Sequence, residues 1–280
     1  MFKVLQKENL CPAVVRMVVE APLIAAKAQA GQFVILRVAE DGERIPLTVA
    51  DYDRAAGTIT IIFQTVGATT LALSRVKVGD CLQDLVGPLG RATETEGFKK
   101  VAIIGGGVGT AIAYPVAKAM REQGAEVHCV VGFRSRDLVI LQEDFAAVSH
   151  RLITMTDDGS LGEKGLVTDA LRRLIESGEV YDEVIAIGPL PMMKYVSLLT
   201  KEYGVKTVVS MNPVMIDGTG MCGGCRLTVG GQTRFACVDG PEFDGHLVDF
   251  DEAIERSRLY QEQERHAYEK ACNLFGTEVR

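Results

Sequence analysis

Apolar positions in the first hundred residues come in short runs rich in Val, Ile, Phe and Thr, at 13–19, 32–38 and 58–65. Turn clusters such as Glu40-Asp41-Gly42 and Ala55-Ala56-Gly57 separate them. Regular short strands with this punctuation predict a small antiparallel barrel or sandwich. Past Lys99-Lys100 the period changes. An apolar strand over 101–104 leads through glycines at 105–109 into a helix-compatible run at 111–123. Strands at 126–131, 152–156, 183–187 and 205–209 follow, with a helical pattern at 165–177. Strands alternating with helices predict a doubly wound parallel sheet.

From Asn212 the chain turns rich in Gly and Cys, and from Asp249 it becomes a charged helical tail. The expected divisions are thus an all-β barrel at 1–98, an α/β domain at 99–211, a small module at 212–248 and a tail at 249–280. In the tail, Tyr260, Ala267, Ala271 and Leu274 recur near the helical repeat. That stripe is too thin to anchor a helix firmly in this chain's own core.

Composition narrows the class. A chain of 280 residues, 47% hydrophobic and 24% charged, has room for two domains and a module. A net charge of −7 argues against a nucleic-acid partner. Residues 1–12 contain lysines but no apolar signal core, and the uncharged stretch 101–117 is broken by four glycines and a proline. A cytoplasmic protein with no membrane partner is expected. Of seven cysteines, three crowd between Cys222 and Cys237, which in an intracellular chain reads as metal binding before disulfides.

The turn Gly105-Gly106-Gly107-Val108-Gly109-Thr110 lies between a strand and a helix. Glycine lets backbone approach a pyrophosphate, and the helix start offers free N–H groups to the anion. The sixth position is Thr110, unlike the dinucleotide fingerprint, and no Lys-Ser/Thr follows as in a P-loop. A nucleotide site and a plain tight turn both fit. After the second strand stand Arg134, Arg136 and Asp137. An arginine there suits a 2′-phosphate and an acid suits a ribose diol, so NAD and NADP both stay open.

Asp217-x4-Cys222-x2-Cys225-x11-Cys237 is the most specific feature of the chain. Plant-type 2Fe–2S proteins use Cys-x4-Cys-x2-Cys and a distant fourth Cys. Here that spacing survives with Asp217 in the first position, and hard ferric iron accepts a carboxylate donor. A zinc site would offer two CxxC knuckles where this chain has one, and unliganded thiols are the remaining reading. Cys11, Cys81, Cys129 and Cys272 are scattered and are expected to be buried apolar thiols.

The order of barrel, glycine turn, Gly188-Pro189-Leu190-Pro191-Met192 and cysteine loop resembles the ferredoxin reductase-like electron-transfer subunits over essentially the whole chain. The resemblance implies FAD on the barrel and NAD(H) on the α/β domain, with NADP(H) an alternative. It also implies a 2Fe–2S cluster held by Asp217, Cys222, Cys225 and Cys237. Arg44-Ile-Pro46-Leu47-Thr48 is similar to the family's flavin motif, Arg44 pairing with the pyrophosphate and Thr48 lying near the ring system. Gly67, Thr69 and Thr70 resemble a second phosphate contact. Thr156-Asp157-Asp158-Gly159-Ser160 resembles a segment near the nucleotide, although a polar turn fits equally, and Gly188, Pro189 and Met192 resemble the loop beside nicotinamide.

Within the family, Asp217 and the stretch beginning His246-Leu247-Val248-Asp249-Phe250-Asp251 resemble the small subunit of NADH-dependent reduced ferredoxin:NADP oxidoreductase, whereas the dihydroorotate dehydrogenase group typically has Cys at the Asp217 position. The implied activity is flavin-based electron bifurcation run in the confurcating direction. The implied partners are a larger flavoprotein subunit and, through it, ferredoxin. A dihydroorotate dehydrogenase subunit and a non-catalytic nucleotide- or zinc-binding redox module are the alternatives. No catalytic acid–base group is expected. The tail either lies solvated over the nucleotide domain or docks on the larger subunit.

Overall fold

The structure, a computed structural model, describes residues 1–276. Residues 277–280 of the expected tail lie outside the described residues. Seven strands form an antiparallel sheet: β1 (Phe2–Cys11), β2 (Val14–Glu20), β3 (Phe33–Arg37), β4 (Arg44–Asp53), β5 (Thr58–Gln64), β6 (Cys81–Leu82) and β7 (Asp84–Leu89). A short helix α1 (Pro22–Ala25) follows β2, and α2 (Ala68–Arg75) follows β5. The order is β6-β1-β2-β5-β4-β3-β7. Its two outer strands are separated in sequence by Gln83 alone, so the sheet curls until its edges nearly meet. This is the expected barrel. Met17, Val19, Ile59, Ile61 and Phe63 alternate inward to fill it, as the two-residue period requires. Val14 and Ile62 face the other way and pack on the second domain.

That domain carries β8 (Lys100–Gly106), α3 (Gly109–Glu122), β9 (Glu126–Phe133), α4 (Gln142–Val148), β10 (Arg151–Thr156), β11 (Glu163–Lys164), α5 (Val167–Glu176), β12 (Glu183–Ile187), α6 (Leu190–Glu202) and β13 (Thr207–Ser210). Its sheet order is β11-β10-β9-β8-β12-β13, parallel throughout, as the alternating pattern predicts. Val101 and Ile103 face the layer containing α3, while Ala102 and Ile104 face α5 and α6. Both faces are covered, which is why these strands are apolar on both sides. Gly188–Met192, expected as a loop, is the entry into α6, with Pro191 in its first turn.

The Gly/Cys segment forms a hairpin, β14 (Arg226–Val229) with β15 (Gln232–Phe235), then α7 (Ala236–Asp239) and β16 (Glu242–Asp244). Strand β16 pairs antiparallel with β13 as the seventh strand of the otherwise parallel sheet. Cys225, Leu227 and Cys237 share one core with Phe33 and Ile35 of the barrel and Ala102 of the parallel sheet. The module is therefore built into both domains.

The tail is two helices, α8 (Phe250–Arg256) and α9 (Gln261–Phe275), rather than one. Helix α8 packs on α6 and β14, whereas α9 crosses to the barrel and packs on α2. The expected stripe is only half right. Ala267 and Ala271 are partly buried beside the fully buried Cys272, but Tyr260 is 56% and Leu274 79% exposed.

A half-buried acid marks the junction of the three parts. The Glu242 carboxyl accepts a 2.6 Å hydrogen bond from the Thr93 hydroxyl. Burial, with Glu183 nearby, pushes it up to about 7 against an opposing contribution from Thr93. Between roughly pH 4.5 and 7 the folded chain holds a proton that the unfolded chain releases, so this group's contribution to stability is lost as pH rises through that window. Glu242→Gln should leave the unfolding midpoint near its wild-type value at pH 5 and raise it by several degrees at pH 8. The stabilisation would be about 3 kcal/mol at most. Thermal unfolding at both pH values checks it, and equal midpoints at pH 8 would remove Glu242 as the cause.

Candidate functional site

In the parallel sheet the chain runs outward from β8 through β9 and β10 on one side and through β12 and β13 on the other. Open α/β sheets bind ligands outside the carboxyl ends of their strands at such a reversal. A cleft of about 1130 Å³ lies there. Its wall takes Gly106 from β8, Arg134 and Asp157 from the ends of β9 and β10, Gly188 after β12, and Met211 after β13. The barrel closes the other side with Phe33, Pro46 and Thr48, and the cysteine segment adds Asn212, Met215 and Pro241.

Close glycine contacts make this geometry. A Cβ on Gly109 would stand 2.6 Å from the Gly188 Cα and the Ile187 carbonyl, so α3 can meet the end of β12 only with glycine there. A Cβ on Gly106 would stand 2.4 Å from the Met192 sulfur, and one on Gly188 would stand 2.7 Å from the Met192 methyl. Gly107 differs: its φ is +54° and a Cβ there would meet nothing within 4 Å. Its amide donates to the Gly132 carbonyl at 2.9 Å. The Val108 and Gly109 amides have no backbone acceptor among the described residues and stand at the cleft wall. This is an anion cradle of the kind a pyrophosphate fits.

The wall brings together ten expected residues: Pro46, Thr48, Gly106, Gly107, Gly109, Arg134, Asp157, Gly188, Pro189 and Met192. Eight others stand outside it. Gly105 and the buried Thr110 pack on each other behind the turn, and the Thr110 hydroxyl has no hydrogen-bond partner among the described residues. Leu47 turns into the barrel core. The Asp158 carboxylate accepts from the Ser160 hydroxyl and amide, which hold it below the usual carboxylate range. Its polar-turn role is thus filled locally.

Arg44 and the start of α2 lie beyond the cleft on the barrel. Arg44 is exposed and has no ion-pair or hydrogen-bond partner among the described residues. The Thr70 hydroxyl accepts from the Val66 and Gly67 amides, both at 3.0 Å, and so caps α2. The Thr69 hydroxyl donates to Glu43 at 2.9 Å. An unpaired guanidinium and a helix start on one barrel wall fit the diphosphate of a flavin dinucleotide.

The cysteine loop holds its donors in two pairs. Asp217 accepts from the Thr219 amide at 2.8 Å and from the Cys222 amide at 2.7 Å, and these bonds hold its carboxyl below the usual range. The Cys225 and Cys237 sulfurs are 3.2 Å apart, and burial, then Cys225 itself, pushes Cys237 up to about 12. Backbone amides of Gly224 and Cys237 donate to the sulfurs of Cys222 and Cys225, both at 3.4 Å. Among the described residues, no three His, Cys, Asp or Glu side chains converge on one metal ion. Two pairs with amides turned to sulfur suit a two-iron cluster better than a single zinc. The loop also sits against the barrel, since a Cβ on Gly218 would stand 2.6 Å from Leu89 and 3.0 Å from Ile35.

Phe33, Asn212, Met215 and Pro241 escaped sequence reasoning. The legible signal was the end of β13 at Ser210, a fifth strand terminus on the same edge. Among the described residues no helix is long and apolar enough to cross a membrane.

Known proteins resemble this chain in sequence and fold. Residues 212–249 match the iron–sulfur cluster binding domain of dihydroorotate dehydrogenase B. A Thermotoga maritima homolog of the dihydroorotate dehydrogenase B (NAD(+)) electron transfer subunit is 46% identical over 98% of this chain and 96% of its own. The corresponding Streptococcus pneumoniae subunit is 33% identical over 86% of this chain and 95% of its own. A chain of the NADH-dependent reduced ferredoxin-NADP oxidoreductase, a structure described for flavin-based electron bifurcation, superposes with a TM-score of 0.92. It is 44% identical, covering 96% of this chain and 97% of that one. The Amycolatopsis cytochrome P450 reductase, 22% identical with a TM-score of 0.62 over 72% of this chain and 65% of its own, shares the fold. The chain belongs to the dihydroorotate dehydrogenase B electron-transfer subunit family, ferredoxin reductase-like iron–sulfur flavoproteins whose redox groups are FAD, a 2Fe–2S cluster and NAD(H).

Proposed function

We propose that this chain is the small subunit of a flavin-based electron-bifurcating NADH-dependent reduced ferredoxin:NADP oxidoreductase. It works with a larger flavoprotein subunit and, through that subunit, with ferredoxin. The observation that carries the reading is spatial. The glycine cradle, the barrel strand with Pro46 and Thr48, and the start of the cysteine segment share one cleft. The cysteine loop packs on β3 and β7 of the same barrel.

When bound, nicotinamide supplies or accepts a hydride, FAD converts between two-electron and one-electron exchange, and the cluster moves single electrons. The chain's own residues position these groups. The Val108 and Gly109 amides hold the nucleotide diphosphate. Arg134 and Asp157 flank its far half. Arg44 and the first turn of α2 hold the flavin diphosphate, while Thr48 borders the ring system. Asp217, Cys222, Cys225 and Cys237 hold the cluster. Around it Ile216, Met221 and Val238 are exposed, a surface suited to the larger subunit.

Arg44→Ala should weaken FAD binding about tenfold or more while leaving the cluster intact, since it removes the cation opposite a desolvated diphosphate. Flavin-to-protein ratios after gel filtration check it, and an unchanged ratio and affinity would take Arg44 out of the site. The function itself is tested by co-purifying the native partner. The complex should form NADPH from NADP with NADH and reduced ferredoxin together. Oxidation of dihydroorotate with NAD instead would make this chain the electron-transfer subunit of dihydroorotate dehydrogenase.

A further inference from the structure

Helix α2 is held from two sides. It has eight residues, too few to be stable alone. Toward the barrel it buries Leu73 in the barrel core. At its carboxyl end Lys7 of β1 donates to the Ser74 and Val76 carbonyls. Leu71 is also buried, yet it belongs to none of the three cores, and the same is true of Cys272 of α9. The helices carrying these two residues pack on each other, and α9 packs substantially on no other described element. The Arg75 guanidinium lies 5.4 Å from the centre of the Phe275 ring, at the far end of the same seam. Helix α9 thus reaches the barrel from the cluster module through α8 and covers α2.

We infer that Cys272 and Phe275 of α9 are positioning residues for the flavin diphosphate, acting through α2, so that FAD retention depends on the C-terminal helix. The inference rests on the reading of Gly67–Thr70 as a phosphate contact. The Ala68 and Thr69 amides have no backbone acceptor among the described residues, and their place relative to Arg44 is fixed only while α2 is fixed. Losing α9 would expose Leu71 and leave α2 with Leu73 and Lys7 as its main anchors. Helix α9 is itself thinly seated: most of its residues are exposed and Cys272 is its one fully buried side chain. Its docking is therefore open to bias from a ligand on α2. By reciprocity, bound FAD should tighten α9 by the same factor with which docked α9 tightens FAD.

The test uses the full chain carrying its cluster, with FAD affinity measured by flavin fluorescence and amide exchange followed along the backbone. Cys272→Glu places a charge at a fully buried position and should undock α9. The expected result is FAD binding weaker by about tenfold or more, faster exchange over 67–75 and 261–275, and unchanged cluster absorbance. Cys272→Ala, which trims the same buried contact without adding charge, should shift FAD affinity in the same direction by a much smaller factor than Cys272→Glu. Phe275→Ala, which no folding failure should obscure, is expected to shift FAD affinity in the same direction by a smaller factor. If α9 exchanges faster while FAD affinity and exchange over 67–75 stay at wild-type values, the inference is wrong. Adding FAD to flavin-free wild type separates the two layers. No slowing at 67–70 would sink the phosphate reading, whereas slowing there but not over 261–275 would sink the coupling alone.

Discussion

Gly107→Val should slow flavin reduction by NADH about 100-fold while leaving FAD and the cluster bound. The size follows from losing charge-assisted hydrogen bonds at the diphosphate, about 3 kcal/mol in all. Gly107 sits at φ +54°, where a β-branched residue is strained, and its missing Cβ points into open space in the cleft. A valine there would occupy the path of the diphosphate and tilt the Val108 amide away. The cost to folding stays small, about 1–2 kcal/mol for a single residue in this conformation. Gly109→Val makes the contrast. Its Cβ would collide with Gly188 and Ile187, so that variant should lose stability and every activity together. Stopped-flow bleaching of the flavin by NADH, on protein with wild-type circular dichroism, distinguishes the two. Normal bleaching in folded Gly107→Val would place the nucleotide elsewhere.

The parallel sheet was legible because its strands are buried on both faces. Val101–Ile104 and Val184–Ile187 are unbroken apolar runs that the sheet uses nearly as written. The barrel was harder. Strand β1, FKVLQKENLC, buries only Val4, because pairing with β2 and β6 rather than alternation defines it. Strand β4 contains Pro46, which argues against a strand. The structure tolerates it because Arg44–Thr48 pairs with β3 alone, and β5 joins only from Val49 onward. That one-sided stretch is also where Pro46 and Thr48 reach the cleft. The sheet gives up a ladder to make the site.

Sequence pattern could not show where the parts meet. Phe33 reads as a barrel residue and Pro241 as a loop residue, yet both line the same cleft. Helix α9 illustrates the same limit. Its helical character is readable, but its partner α2 lies nearly two hundred positions earlier in the chain, and the seam is too narrow to leave a hydrophobic stripe. The cysteine loop was the opposite case, since its chemistry is carried by spacing. Asp217 to Cys222 is a local spacing that the fold keeps as one donor pair, while Cys225 pairs with Cys237 across the hairpin.

Asp217→Cys and Asp217→Asn should separate a ligand from a loop brace. In the structure Asp217 does bracing work already, accepting from the Thr219 and Cys222 amides. Asn keeps an acceptor for Thr219 but loses the anionic donor, and its amide nitrogen cannot accept from Cys222. If Asp217 binds iron, Asp217→Asn should leave a labile cluster, with less than about half of the wild-type iron surviving desalting, since one of four ligands is gone. Asp217→Cys should keep a full 2Fe–2S centre but shift its EPR signal and lower its potential, because thiolate gives more charge to iron than carboxylate does. Cys225→Ser should abolish the cluster outright, as Cys225 is buried and paired with Cys237. Iron content, EPR and potentiometry of the three variants give the answer. Should Asp217→Asn and Asp217→Cys both match wild type in iron content and EPR, Asp217 only braces the loop and the fourth ligand comes from another residue or from the larger subunit.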